Sequence, residues 1–282
     1  MRIRLDISYD GTHFRGWARQ PQLRTVQGTI EAALARIVGS DVQLVVAGRT
    51  DAGVHASGQV AHVDLDDAQW ERVKARRGVP QDSAAAALAG RLRGVLGAYS
   101  DVAVRASSEA PAGFDARFSA VWRRYEYRLA DDVAGYDPLA RHNTTSVKGA
   151  LDVEAMDAAA QSLIGLHDFA AYCKAREEAT TIRTLLDYRW RRDERGVLVA
   201  HVKADAFCHS MVRALVGACA AVGEGRLKVA DVAVLRDRLE RTSEFKVLAA
   251  RGLTLSEVGY PDASLLAQRA EQTRARRDLG AD

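Results

Sequence analysis

The periodicity of apolar residues constrains this chain most, because it spells one order of elements and then repeats it. "RIRLDISY" at 2–9 alternates strictly, with Ile3, Leu5, Ile7 and Tyr9 on one side and Arg2, Arg4, Asp6 and Ser8 on the other. That is the spacing of a half-buried strand. Thr25 can N-cap a helix that carries Val26, Ile30, Leu34 and Ile37 near one face. "QLVVAG" and "QVAHVDL" read as strands, "DSAAAALAGRLRGVL" as a helix capped by Asp82 or Ser83, and "DVAVRAS" as a strand. The order is β-α-β-β-α-β.

The same order returns downstream. "VWRRYEYRL" alternates as a strand, and "LDVEAMDAAAQSLIG" is a helix with Asp152 as cap. "TIRTLLDYRWRR" and "VLVAHVKA" are strands joined across "DERG", a hairpin signal. "HSMVRALVGACAAVG" is an apolar helix, "VADVAVLRDRLE" an additional one, and "LTLSEVGY" a closing strand. Two such units predict an α+β fold of two ferredoxin-like (β-α-β-β-α-β) halves. Each has an antiparallel sheet, and the two flank a central cleft. The expected domains are 1–110 and 111–282, divided where Pro111 and Gly113 break the pattern. The C-terminal "AQRAEQTRARRDLGAD" reads as a solvated helix end or tail.

Bulk properties narrow the class. Hydrophobic content of 48% and charged content of 27% describe a soluble globular chain. A net charge of +3 permits a polyanionic partner without demanding one, so any basic patch must be local. The start lacks a signal-peptide core, and the apolar run at 214–223 is too short to span a bilayer. A cytoplasmic protein is expected. Cys173, Cys208 and Cys219 form no C-x-x-C pair, which argues against a disulfide scaffold or zinc knuckle and for buried thiols.

The residues that could do chemistry begin with "AGRTDAGVH" at 47–55, where Asp51 stands between Gly48 and Gly53, two residues after Arg49. A plain turn accounts for that spacing, since Asp bonds nearby backbone and Gly permits positive φ. A carboxylate presented from a strand end for nucleophilic or electrostatic work accounts for it equally. His55, His62, Asp51 and Asp64 raise a metal site, but they lack a known ligand spacing. Arginines interleave with aromatics in "FDARFSAVWRRYEYRL" (Arg117, Arg123, Arg124 and Arg128 among Phe118, Trp122, Tyr125 and Tyr127). They do so again in "TIRTLLDYRWRR", with Arg183, Arg189, Arg191 and Arg192. Such mixtures hold phosphates and bases, or else give each strand one core face and one solvated face. Arg213 lies inside an otherwise apolar helix; it either snorkels from an edge or meets a buried carboxylate, for which Asp51 is a candidate.

Over nearly its whole length the chain resembles the TruA family of tRNA pseudouridine synthases. "YDGTHFRGW" at 9–17, "TVQGTIEAAL" at 25–34 and "GRTDAGVHASGQVAH" at 48–62 carry the resemblance, the last resembling the family's catalytic signature. "FDARFSAVWRRYEYRL", "HDFAAYCK", "DAFCHSMVRALVGACAAVGEG" and "ARGLTLSEVGY" follow in order. The resemblance implies isomerisation of uridine to pseudouridine in the tRNA anticodon arm, at tRNA positions 38–40, in a positively lined RNA-binding cleft. It implies Asp51 as catalytic aspartate and Arg213 as its ion-pair partner. Arg49 would engage RNA and help displace the target nucleotide, and Tyr125 would stack on the uracil. No metal and no cofactor are implied, and the partner is tRNA, bound by a homodimer. The chain departs from the family's pattern at Ala18, at Ala206, at Cys208-His209, and in "LAARGL", which lacks a proline. Two rival readings are a catalytically silent RNA-binding protein and a metal-dependent nuclease or hydrolase using Asp51, Asp64 and the histidines.

Overall fold

The computed structural model describes residues 1–75, 80, 83–98, 100–174 and 180–274. Among them are ten strands and seven α-helices, an α+β fold. The chain divides into two compact units. One comprises Met1–Val121 with the described residues of Leu255–Ala275, and the other Trp122–Thr254.

The first unit is built on β1 (Arg2–Tyr9), β2 (Leu44–Val46), β3 (His55–Asp64) and β4 (Val102–Glu109). Residues 255–259 of β10 (Leu253–Gly259) complete its sheet, in the order β4-β1-β3-β10, with β2 also on β3. β1 lies antiparallel to β3 with Leu5 opposite Ala61, and antiparallel to β4. Its Ile3, Leu5, Ile7 and Tyr9 are buried and its polar residues are not, as the alternation requires. Helix α1 (Val26–Val38) starts where Thr25 accepts the Gly28 amide and stops at Gly39, whose left-handed φ of 82° suits glycine. It packs on α3 (Ala84–Leu96), which lies against β4. Ser83 holds the N-cap position of α3; the alternative cap, Asp82, lies outside the described residues.

Two features differ from the sequence expectation. Helix α2 (Asp67–Lys74) was not foreseen, although Asp66 and Gln69 bond each other's backbone amides in a full capping box. The closing strand, read sequentially, belongs to the second repeat. Its residues 255–259 instead stand beside β3, where Gly58 admits it: a Cβ there would fall 2.1 Å from the Ser256 carbonyl oxygen.

The second unit contains β5 (Trp122–Ala130), β6 (Thr145–Ser146), β7 (Gly165–Asp168), β8 (Ile182–Arg192) and β9 (Leu198–Ala204), ordered β5-β9-β8-β7 with β6 on β5. The short strands β6 and β7 were not expected. The 193–197 turn closes the β8–β9 hairpin with Gly196 at φ 79°. Helix α4 (Val153–Gln161) begins at Asp152, which accepts the Glu154 and Ala155 amides. It packs on α5 (Met211–Gly223), with α6 (Val229–Asp237) alongside. All but one of the α5 residues are buried, and the exception is Arg213. A short helix, α7 (Leu266–Arg274), ends the described chain.

Cys173 and Cys208 stand side by side with their Cα atoms 5.7 Å apart, and Cys219 is a buried free thiol. A separation of 35 residues gave no sequence signal, because folding and not local spacing brings the pair together. No helix among the described residues is long and apolar enough to cross a membrane.

Candidate active site

β2 ends at Val46 and β3 starts at His55, so the residues between them form a tight loop, and Asp51 sits near its middle. The loop is held from inside the first unit. The Tyr9 hydroxyl lies 2.8 Å from Thr50 Oγ1, buried. Gln59 Nε2 donates to the Tyr9 oxygen at 3.2 Å and to the Gly48 carbonyl at 2.8 Å. The Trp17 amide donates to the Thr50 carbonyl at 3.0 Å, and the Ala47 amide to Val60 at 2.9 Å. Burial pushes the Tyr9 phenol up to about 12, so it stays a neutral hydroxyl at neutral pH.

The local backbone explains the glycines. The Val54 amide turns back to the Asp51 carbonyl at 3.2 Å, and Gly53 takes φ 78°. Two further glycines, in the "YDGTHFRGW" stretch, let that stretch approach the loop. A Cβ on Gly11 would lie 2.0 Å from the Val54 oxygen, and one on Gly16 (φ 92°) would lie 3.0 Å from the Thr50 oxygen. Gly48 is different, since a Cβ there meets nothing within 4 Å. With Thr50 turned inward and buried, its neighbours turn outward: Arg49 is exposed and Asp51 is half-buried. The loop therefore presents one carboxylate and one guanidinium from a floor of fixed hydrogen bonds.

Tyr125 and Arg213 belong to the second unit. Tyr125 points from β5 toward the covered side of the sheet, opposite Val202, and is 8% exposed. The ring of Phe207 meets it edge-on, with centroids 5.1 Å apart at 87°. Arg213 occupies the first turn of α5, where it is half-buried, and its Nε donates to the Leu248 carbonyl at 2.6 Å. That bond uses one of five guanidinium N–H donors. Asp51 and Arg49 thus share one loop, and Tyr125 and Arg213 stand on β5 and α5 of the other unit.

The interleaved arginines and aromatics divide into two groups. Tyr127 is fully buried and its hydroxyl bonds Thr145 and the Ala249 carbonyl, which makes it core. Arg192 forms a two-pronged pair with Asp131, at 3.0 and 2.6 Å, and also bonds the Gly196 and Leu151 carbonyls. Arg128 pairs with Asp193 at 2.7 Å, and Arg123 bonds the Asp205 carbonyl. Arg124 instead lies over the Trp122 ring at 5.1 Å, with Lys203 over the same ring at 4.1 Å. Arg189 and Arg191 are exposed. Lys203 and Phe207 were missed from sequence; only strand register, which sets Lys203 opposite Arg124, shows the first.

The candidate metal ligands have other partners. His55 Nδ1 accepts the Gly11 amide at 3.0 Å, and His62 Nδ1 accepts the Ala116 amide at 3.0 Å. Burial holds the His62 pKa below its ordinary value. Asp64 is gripped by Arg2 through two bonds of 2.7 Å. Among the described residues no three His, Cys, Asp or Glu side chains converge as a metal site would need.

Comparison with known proteins identifies the family. Residues 7–94 and 159–261 match the family model described as tRNA pseudouridine synthase. The "tRNA pseudouridine synthase A" of Leifsonia xyli subsp. xyli is 62% identical over 282 residues, covering 99% of this chain and 98% of that protein. The Streptomyces griseus protein of the same name is 51% identical, covering 99% and 95%, and that of Mycobacterium leprae 44% identical, covering 97% and 94%. The matched residues include the Asp51 loop, both glycines beneath it and Arg213. The chain belongs to the tRNA pseudouridine synthase family, of the TruA type.

Proposed function

We propose that the chain isomerises uridine to pseudouridine in the anticodon stem-loop of tRNA, at tRNA positions 38–40, with Asp51 as its catalytic carboxylate. Enzymes of this family are isomerases. The observation that carries the reading is the Asp51 loop, whose inward residues are locked while its carboxylate stays partly open to solvent. The reaction breaks the bond from N1 of uracil to C1′ of the sugar, turns the base, and joins C5 to C1′. Substrate and product have the same atoms, so no group donor or redox step is needed. A carboxylate can act as nucleophile or stabilise the positive charge that develops on the sugar.

Each remaining residue has a role that its chemistry suits. Arg49, exposed beside Asp51, engages RNA phosphate and helps displace the target nucleotide. Unstacking a nucleotide costs a few kcal/mol, which a platform such as Tyr125 offsets. Arg213 pairs with the carboxylate and keeps it ionised and aimed; the family resemblance supports that pairing. Two ferredoxin-like halves flanking a positively lined cleft, a homodimer that binds tRNA, and a cytoplasmic setting complete the reading.

Transcripts in which only one of positions 38, 39 and 40 is uridine test the substrate. Pseudouridine is expected at each of them and at no uridine outside the anticodon arm; product elsewhere would overturn the assignment. Tyr125→Ala removes a stacking surface whose loss costs about 1–3 kcal/mol per base. The expected result is a slower reaction at saturating tRNA with overall affinity nearly unchanged, measured by single-turnover kinetics and filter binding. The reverse pattern would make Tyr125 a plain binding residue. Arg213→Ala should lower the rate on the order of 10²-fold, as loss of a preorganised charged group does, and should also lower the melting temperature. An unchanged rate and an unchanged melting temperature together would show that the ion pair is absent.

A further inference from the structure

The stretch "HFRGWARQPQLR" at 13–24 stands against the Asp51 loop and carries three arginines without a carboxylate. We propose that it forms a phosphate-binding edge of the active site, on which Arg15 and Arg19 hold the RNA backbone beside the nucleotide that reaches Asp51. The inference rests on the reading of Asp51 as the catalytic carboxylate of a tRNA-modifying enzyme.

Phe14 and Trp17 are buried, and Arg15 between them is exposed. The Arg15 amide donates to the Arg24 carbonyl at 2.9 Å. The Gly16 and Trp17 carbonyls accept the Val26 and Gln27 amides of α1 at 3.2 and 3.0 Å. Gln20 Nε2 donates to the Arg15 carbonyl at 3.0 Å. These bonds fix the backbone of the stretch, so RNA need not order it on arrival. Gly16 is where the stretch meets its neighbour. A Cβ there would lie 3.3 Å from the Ala52 amide nitrogen and 3.4 Å from the Asp51 carbonyl carbon. Arg15 is one residue away, about 3.8 Å along the chain. A phosphate on its guanidinium therefore belongs to the target nucleotide or to one beside it.

The surrounding charges decide which arginines are available. Arg24 is engaged: it bonds both Asp101 oxygens at 2.6 Å and lies over the Phe14 ring at 4.1 Å. Arg15 makes no side-chain bond to any other described residue. Arg19 faces Glu31 at 3.7 Å with 70% of its side chain exposed, and so open a pair contributes little. The Glu31 carboxylate already accepts the Gln27 side chain and the Leu44 amide. Arg19 also lines an open cleft of about 800 Å³ along α1, with Gln22, Thr25 and Thr29, which leaves room for a ribose–phosphate chain. A guanidinium matches two phosphate oxygens at once. Contacts of that kind set the register of the RNA without reading its bases.

The test measures binding of an unmodified tRNA transcript to the full chain on filters, between about 50 and 200 mM salt. Arg15→Ala and Arg19→Ala should each weaken binding and lower the slope of log affinity against log salt by about one, and the double variant by about two. Arg15→Lys should regain the slope, because counterion release follows charge. Arg93→Ala, exposed on α3, should keep the wild-type slope. Turnover of the double variant should fall more at low tRNA than at saturating tRNA. Ethylation interference reads the place: anticodon-arm phosphates whose ethylation weakens wild-type binding should no longer matter to the double variant. An unchanged slope or an unchanged interference pattern in the double variant overturns the proposal. An equal loss in Arg93→Ala overturns it too, since the effect would then be one of net charge. If wild type binds tRNA but makes no pseudouridine, the proposed function fails while the slope still judges the two arginines.

Discussion

Asp51→Asn is expected to abolish pseudouridine formation, by at least about 10³-fold, while tRNA affinity stays within about threefold of wild type. The amide keeps the shape of the side chain but loses its charge and its nucleophilic oxygen. The fixed hydrogen bonds around it run through Tyr9, Gln59, Trp17 and the loop backbone, none of which the substitution removes. The fold should therefore survive, with a melting temperature lowered no further than by Arg213→Ala, since both substitutions break the same proposed ion pair. Affinity should survive because a carboxylate facing RNA phosphates does not help binding. Circular dichroism, filter binding and single-turnover kinetics on one preparation check all three. Turnover close to wild type would remove Asp51 from the mechanism.

Arg192→Ala should have the largest effect on stability. Asp131 is 2% exposed and accepts from Arg192 through both oxygens, and from the Leu151, Val133 and Ala134 amides. The pair ties the end of β5 to the β8–β9 hairpin and to the approach to α4. Removing one partner of a buried ion pair costs about 3–5 kcal/mol; Arg192 is partly open to water, which puts the expected loss near the lower end. Calorimetry should show a melting temperature lower by roughly 10 °C. Burial alone would raise the Asp131 pKa, but the Arg192 guanidinium and the Leu151 and Ala134 amides outweigh it and hold it down at about 2. A carboxyl depressed in the folded state stabilises fully above its unfolded pKa of about 3.9, and that stability is lost as pH falls through the folded value. Wild type should lose this contribution between about pH 4 and pH 2, and Arg192→Ala should unfold at higher pH. An unchanged melting temperature and acid midpoint would refute the pair's role. Removing both charges, as in Asp131→Asn with Arg192→Met, should cost less than Arg192→Ala alone.

The parts of the molecule legible in sequence are those whose cause is local. β1 was visible because burial on one face forces alternation, and α1 because Thr25 caps its start and Val26, Ile30 and Leu34 share a buried face. The Asp51 loop announced itself through Gly53. Asp66 and Gln69 formed a readable capping box, but the polar helix behind it lacked the apolar stripe that marks a helix. The hidden parts depend on partners distant in the chain. Thr50 is held by Tyr9, 41 residues away, and Gln59 reaches Tyr9 across 50. Gly11 and Gly16 matter because the loop passes over them, which no local pattern states. The place of residues 255–259 in the first unit, and the approach of Cys208 to Cys173, are tertiary outcomes of the same kind. Among the basic residues, sequence could not separate Arg192, which holds Asp131, from Arg124, which lies over Trp122.

The central claim is that one carboxylate, at Asp51, drives uridine isomerisation in the anticodon arm. Its most direct test maps pseudouridine on an unmodified tRNA transcript treated with purified wild type or Asp51→Asn, with EDTA present throughout. Pseudouridine is expected at the anticodon-arm uridines with wild type and none with the variant, although both bind the transcript. Equal product from both would contradict the role of Asp51, and no product from either, with tRNA still bound, would leave a silent RNA-binding protein on the same scaffold.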